Sequence, residues 1–123
     1  MCSAAQLVAD AGLSVFNVKD IYMIIRPYPI RISNETNIGE NIYSGDYAGS
    51  KEITWNEIAK RCGYDGNLEE YTTVTKKKRR VFEMNWERLK YNVMINRPTQ
   101  IVLNFTQYID YKAYNCKNFD ELP

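Results

Sequence analysis

Thr72-Thr73-Val74-Thr75-Lys76-Lys77-Lys78-Arg79-Arg80 is the stretch whose residue types and spacing carry the most chemistry in this sequence. Hydroxyls and backbone amides can hold carboxylate or phosphate oxygens, while lysine supplies point charge and arginine a two-point grip. Five adjacent cations also repel one another, which is how a solvated face or a tail behaves. Position favours an anion site, because the run leads straight into Val81-Phe82-Glu83-Met84-Asn85 and a capped helix, and is therefore anchored. A nuclear-localisation reading fits the same letters, but such signals sit in tails or linkers. Nucleic-acid binding is the competing class, and the 10 tyrosines offer stacking surfaces. Most of them lie far along the chain from the cations. Lys+Arg of 16 against Asp+Glu of 15 also lacks the basic excess of a general nucleic-acid binder.

Histidine is absent, so proton transfer near neutral pH would fall to a perturbed carboxylate, lysine, tyrosine or cysteine. The three cysteines, Cys2, Cys62 and Cys116, have no C-x-x-C spacing, which excludes the usual four-ligand zinc sites. An odd cysteine count argues against a secreted disulfide scaffold and for reduced thiols in a cytoplasm. No apolar run reaches the roughly 18 residues that cross a bilayer. The start lacks a basic region ahead of an apolar segment, so it does not read as a signal peptide. Without such a signal, the Asn34-Glu35-Thr36 and Asn104-Phe105-Thr106 triplets carry no weight as glycosylation sites.

The elements that must position the anion run follow from patterning. Ser3 to Ala11 reads as a short helix closed by Gly12. Asp20 to Arg26 is an apolar run suited to a buried strand, and Pro27 and Pro29 end its ladder. Residues 33–51, rich in Asn, Gly, Ser and Glu, read as a long surface loop. Thr54-Trp55-Asn56-Glu57 fits a capping box at the start of a helix that Gly63 closes. A further helix runs from Trp86 to about Asn96, with Asn85 as N-cap and Pro98 beyond its end. Its Trp86, Leu89 and Val93 share one face and are candidate core. Gln100 to Phe105 reads as a buried strand, and the tail after Asp110 is polar and tyrosine-rich. Helices alternating with apolar strands predict an α/β fold with a mostly parallel sheet. Two convincing strands make a poor sheet alone, so residues 1–123 read as a single partial domain of something larger.

Thr72 to Asp110 resembles the late-central part of the adenylosuccinate synthetase family, most closely its compact archaeal and viral-type members. There a threonine-rich loop enters an Arg/Lys cluster, then a helix ending in Asn, then an apolar strand. Ala9-Asp10-Ala11-Gly12-Leu13, Val18 and Ile25 to Ile32, with its Tyr28-Pro29-Ile30-Arg31 strand end, resemble an upstream stretch of the same family. Glu52 to Ile58 is similar to compact members as well. The matches cover nearly the whole chain and a minority of a complete synthetase.

The resemblance implies a carbon–nitrogen ligase that joins aspartate to IMP, using GTP and Mg²⁺, in AMP biosynthesis. The purine 6-oxygen is phosphorylated first, and the aspartate amine then displaces that phosphate. It further implies that Thr75, Lys77 and Arg79 hold the aspartate carboxylates, that Lys78 and Arg80 face nucleotide or phosphate, and that Arg31 approaches the purine nucleotide. Lys77 departs from the family's usual arginine and keeps the charge without the planar fork. Gln107 stands where the family has a guanine-reading aspartate, and its amide both donates and accepts, which suits adenine's edge better. Viral relatives that convert dGMP with an ATP or dATP donor are the alternative this implies. The opposing reading is that Gln107 simply caps a strand.

Complete synthetases begin with a glycine-rich phosphate loop bearing a general-base Asp, followed by an acid His. No such loop occurs in this sequence, so no catalytic residue is assigned, and a fragment that depends on the missing N-terminal half is expected. By itself it is expected to bind neither Mg²⁺ nor GTP or ATP. Complete members are typically homodimers.

Overall fold

The computed structural model describes residues 3–35, 41–43 and 49–122, without the side chains of residues 32–35, 41–43 and 119. The chain divides into two compact units, Met1–Ile25 with Asn85–Asn104, and Arg26–Met84 with Phe105–Pro123, where the sequence alone suggested a single partial domain.

The first unit contains α1 (Ala4–Asp10), β1 (Tyr22–Ile25), α3 (Trp86–Asn96) and β6 (Gln100–Leu103). Ser3 caps α1 by accepting from the Gln6 amide, and Gly12 closes it at a φ of 68° that a side chain would resist. β1 and β6 pair in parallel, Tyr22 opposite Gln100 through Ile25 opposite Leu103. Thr99 sets this register, since its hydroxyl accepts from the Ile21 amide at 3.0 Å while its own amide donates to the Ile21 carbonyl at 2.9 Å. Asn85 caps α3 as the sequence predicts. The mixture of helices and strands with a parallel pair agrees with the α/β class.

Burial in this unit departs from the expectation. Trp86 is 66% exposed, Leu89 and Val93 are only half-buried, and every residue of β6 is exposed. The apolar spacing is real, but among the described residues that face is covered only in part. β6 also stops at Leu103, because Phe105 turns into the left-handed region and ends the ladder.

The second unit contains β2 (Ile30–Glu35), β3 (Asn41–Tyr43), β4 (Glu52–Ile53), α2 (Trp55–Cys62) and β5 (Arg79–Phe82). Its strands form an antiparallel sheet in the order β3-β2-β5-β4. The expected loop over 33–51 is thus corrected in part. Strand β2 runs through Glu35 and pairs with β3, while residues 36–40 and 44–48 lie outside the described residues. Backbone ladders tolerate polar side chains, so composition hid these strands. Pro29 is accommodated because its carbonyl accepts from the Phe82 amide and its missing N–H is not required.

All eight buried apolar residues among those described lie in this unit. Ile53, Trp55, Ile58, Val81 and Tyr108 form the core cluster, with Tyr28, Ile30, Leu68 and Phe105 packed on it. Thr54 caps α2 by accepting from the Glu57 amide at 3.1 Å, and Glu57 itself accepts from Arg61 one turn on. Gly63 closes the helix at φ 75°. The Trp55 indole N–H donates to the Arg79 carbonyl at 2.7 Å, which pins α2 to the strand that follows the cationic run.

Candidate functional site

The cationic run is the descending arm of a short hairpin. Tyr71 bridges Lys78, the Arg79 amide donates to the Glu70 carbonyl at 2.8 Å, and the Thr72 amide donates to the Lys77 carbonyl at 2.9 Å. Thr72 also shapes the tip through its side chain. Its hydroxyl accepts from the Lys77 amide at 2.9 Å and shares a hydrogen bond with the Thr75 hydroxyl at 2.6 Å. Lys76 sits at φ 53°, an unusual conformation for a side-chain-bearing residue, and this turns the chain back. Thr73, Val74, Thr75 and Lys76 are left exposed at the tip.

Carboxylates take up much of the charge. Lys78 pairs with Glu69, and Arg79 pairs with Glu70 at 3.2 Å. Arg80 meets Glu52 in a two-point contact, Nε to Oε1 at 2.9 Å and Nη2 to Oε2 at 2.6 Å. The Arg80 guanidinium also lies 5.0 Å from the centre of the Phe82 ring. Among the described residues Lys76 and Lys77 have no carboxylate partner. The repulsion inherent in five adjacent cations is thus relieved by three acidic side chains, which makes the run a built part of the fold. A nucleic-acid interface loses support for the same reason.

Strand alternation divides the arginines. Arg79 and Arg80 point to opposite faces of the sheet. Arg31 lies directly opposite Arg80 in the β2–β5 register, so those two share a face. Arg79 joins Arg26 at Glu70 on the other. Thr75 and Lys77 belong to the tip, while Gln107 is half-buried within a 3-10 turn, Thr106–Tyr108. The structure therefore brings Arg31 with Arg80, Thr75 with Lys77, and Lys78 with Glu69; it does not gather all seven sequence-derived residues into one cluster.

Sequence reasoning passed over Glu70, Arg26, Tyr108 and Glu52. Arg26 donates to Glu70 at 2.5 Å, and so does the Tyr108 hydroxyl, also at 2.5 Å. Burial pushes the Glu70 carboxyl up, but hydrogen bonds from Arg26 and Tyr108 and the charges of Arg26 and Arg79 outweigh it, leaving Glu70 below its ordinary value of 4.5. Tyr108 is pushed well above its ordinary 10.0, by burial first and then by its bond to the Glu70 carboxylate. A signal for the pair did exist. Glu69-Glu70 and Lys78-Arg79 flank a seven-residue stretch, and folding it into a hairpin sets acids beside cations.

No group of three or more Asp, Glu, His or Cys side chains that could hold a metal ion occurs among the described residues. No described helix is long and apolar enough to cross a membrane.

No family model matches the chain. Individual proteins do. The chain is 35% identical over 112 residues to an N6-succino-2-amino-2'-deoxyadenylate synthase of Salmonella phage PMBT28, covering 89% of this chain and 29% of that protein. It is 26% identical over 121 residues to the adenylosuccinate synthetase of Thermococcus onnurineus, covering 98% of this chain and 31% of that one. Among solved structures it is similar to the succinoaminodeoxyadenylate synthetase of cyanophage S-2L bound to dGMP and dATP as an energy donor. There the TM-score is 0.67 at 31% identity, over 86% of this chain and 29% of the other. The chain thus spans about three-tenths of the length of the relatives it matches. Over that span, the hairpin and the strands that root it are similar to members of the adenylosuccinate synthetase family.

Proposed function

We propose that this chain forms the carboxylate-gripping and base-reading part of a ligase that joins aspartate to dGMP with an adenine nucleotide as phosphoryl donor. The observation that carries this reading is Gln107 on the Thr106–Tyr108 turn, where family members that use GTP carry an aspartate. A carboxylate only accepts, and so suits the ring N–H and amino group of guanine. The Gln107 amide donates to a ring nitrogen and accepts from an exocyclic amine, which is adenine's pattern. The greater identity to the phage protein (35%) than to the archaeal one (26%) supports the same choice.

In this reading the exposed tip supplies Thr75 and Lys77 to the two aspartate carboxylates. Arg79 sets the base of the loop, and Lys78 adds charge beside it. Arg31 and Arg80 share a sheet face suited to nucleotide phosphate, a common role for paired guanidinium groups. The donor's terminal phosphoryl group passes to the purine 6-oxygen. The aspartate amine then attacks C6, and the C6–O bond breaks with release of phosphate. Residues outside these 123 supply the general base, and the chain's part is positioning and charge.

The test is a chimera in which these 123 residues replace the matching 29% of the Salmonella phage protein. Phosphate release that requires both aspartate and dGMP, with dATP as donor, is the expected result. A folded chimera that releases none removes the ligase reading. Release only with IMP and GTP would instead assign the chain to AMP biosynthesis.

A further inference from the structure

Glu70 is a junction that none of the substrate assignments uses. Its Oε1 accepts from Arg26 Nη2 and from the Tyr108 hydroxyl, each at 2.5 Å, and its Oε2 accepts from Arg79 Nη1 at 3.2 Å. The group is shielded, with the Arg26 and Glu70 side chains 16% and 15% exposed. The Arg26 guanidinium lies 4.2 Å from the centre of the Phe105 ring. Phe105 stacks on Tyr108, and Tyr108 meets Trp55 of the core edge-on. Hydrogen bonds are stronger and better directed in such surroundings than in water.

Each partner opens into a different part of the proposed site. Arg79 roots the hairpin that presents Thr75 and Lys77. Tyr108 follows Gln107 on the base-reading turn. Arg26 precedes the strand that carries Arg31. Two guanidinium groups and a phenol share one rigid carboxylate, so moving any of them re-aims the other two. Arg26 and Arg79 each keep a buried Nε–H without a hydrogen-bond partner among the described residues, so neither is locked by a second acceptor.

We infer that Glu70 is a positioning residue that couples the carboxylate-binding hairpin to the base-reading turn, through Arg79 on one side and Tyr108 on the other. The coupling rests on the roles proposed above for the hairpin and for Gln107. Glu70 touches no substrate itself. Occupancy of the donor base site, by settling Gln107 and Tyr108, sets the aim of Arg79 before aspartate arrives.

The experiment follows the Arg79 Nε–H signal by NMR in the full chain, labelled on arginine nitrogen. Tyr108→Phe removes only the hydroxyl and keeps the ring in the core. It should move the Arg79 signal and speed its exchange with solvent about tenfold, because the Glu70 carboxylate that holds Arg79 Nη1 loses its charge-assisted tether to Tyr108. The same substitution made in Glu70→Gln should add nothing further, because the link is already cut. An unchanged Arg79 signal in Tyr108→Phe overturns the inference, as do effects of the two substitutions that simply add. If Glu70→Gln fails to fold, Tyr108→Phe alone decides. A separate arm adds dATP to the phage chimera and watches the Gln107 side-chain amide. Arg79 should respond with it in the wild type and stay still in Glu70→Gln, and a response of equal size in both also overturns the inference. If dATP leaves Gln107 unmoved, the base-reading role fails, while the ligand-free arm still decides the coupling.

Discussion

The two units have opposite burial, and it is the more apolar strands, β1 and β6, that are largely exposed. In the first, Ile24 of β1 is 70% exposed, Phe16 is 96% exposed, and Ile101, Val102 and Leu103 of β6 all face solvent. In the second, Phe82 and Val81 are each 1% exposed and Ile58 is wholly buried, although β5 begins with two arginines. Strand hydrophobicity therefore does not decide burial; cover does. The second unit brings α2, an antiparallel sheet and the Phe105–Tyr108 corner around one cluster. The first offers a two-stranded parallel sheet, and parallel strands are ordinarily covered on both faces.

The largest expected effect breaks that contrast from the inside. Phe82→Ala should cost the second unit about 3–5 kcal/mol, whereas Ile24→Ala in the first should cost under about 1 kcal/mol at so exposed a position. The two tryptophans make this measurable, because Trp55 is buried in the second unit and Trp86 is exposed in the first. Single-tryptophan variants in urea would report each unit separately, and similar losses for the two substitutions would end the distinction.

Glu70→Gln comes next. Removing one partner of a shielded charge cluster costs about 3 kcal/mol, read from the Trp55 midpoint. The pH dependence has a definite sign. The Glu70 carboxyl lies below its unfolded value near 4.5, so its contribution is complete above that pH and is lost as pH falls through the lower folded value. Tyr108 lies above its ordinary 10.0, so its contribution is present below pH 10 and is lost as pH rises beyond it. Glu70→Gln should therefore narrow its deficit towards wild type in acid, and again above pH 10 as the Tyr108–Glu70 contribution is lost.

Gly66→Ala should cost about 1–3 kcal/mol. An added Cβ would come within 2.5 Å of the Tyr64 ring, which is itself stacked on Tyr111 at 4.1 Å. Thr72→Val is a smaller perturbation, about 1 kcal/mol for the lost hydroxyl bonds to Lys77 and Thr75. Thermal melts would rank the two, and a Thr72→Val loss above that of Gly66→Ala would mean that the hairpin tip, not the tyrosine stack, holds this unit together.

Much of this organisation was legible in the sequence, for physical reasons that differ by element. Thr54, Gly63, Asn85 and Gly12 mark helix ends because capping is local chemistry, and each sits where the pattern placed it. The parallel β1–β6 pair followed from two apolar runs separated by a helix. The antiparallel sheet did not, since β5 hides behind Arg79-Arg80 and β2 behind Pro27 and Pro29. The exposure of Trp86 was equally illegible, because helical spacing shows which residues share a face and not whether anything covers it. At the site, the cationic run stood out by composition, but the acids that restrain it lie up to 28 residues away, as Glu52 does from Arg80. Only folding reveals such partners. Resemblance placed Arg31 at the purine nucleotide and Arg80 at nucleotide or phosphate; that the two stand side by side comes only from the β2–β5 register.

Donor preference in the phage chimera, measured as phosphate release from dATP against GTP, tests the central claim most directly. With Gln107 in place, dATP should be preferred, and Gln107→Asp should shift the ratio towards GTP by at least about tenfold, since one hydrogen-bond pattern replaces the other. A ratio that Gln107→Asp leaves unchanged would show that this turn does not read the donor base, and the proposed division of labour along the chain would be wrong.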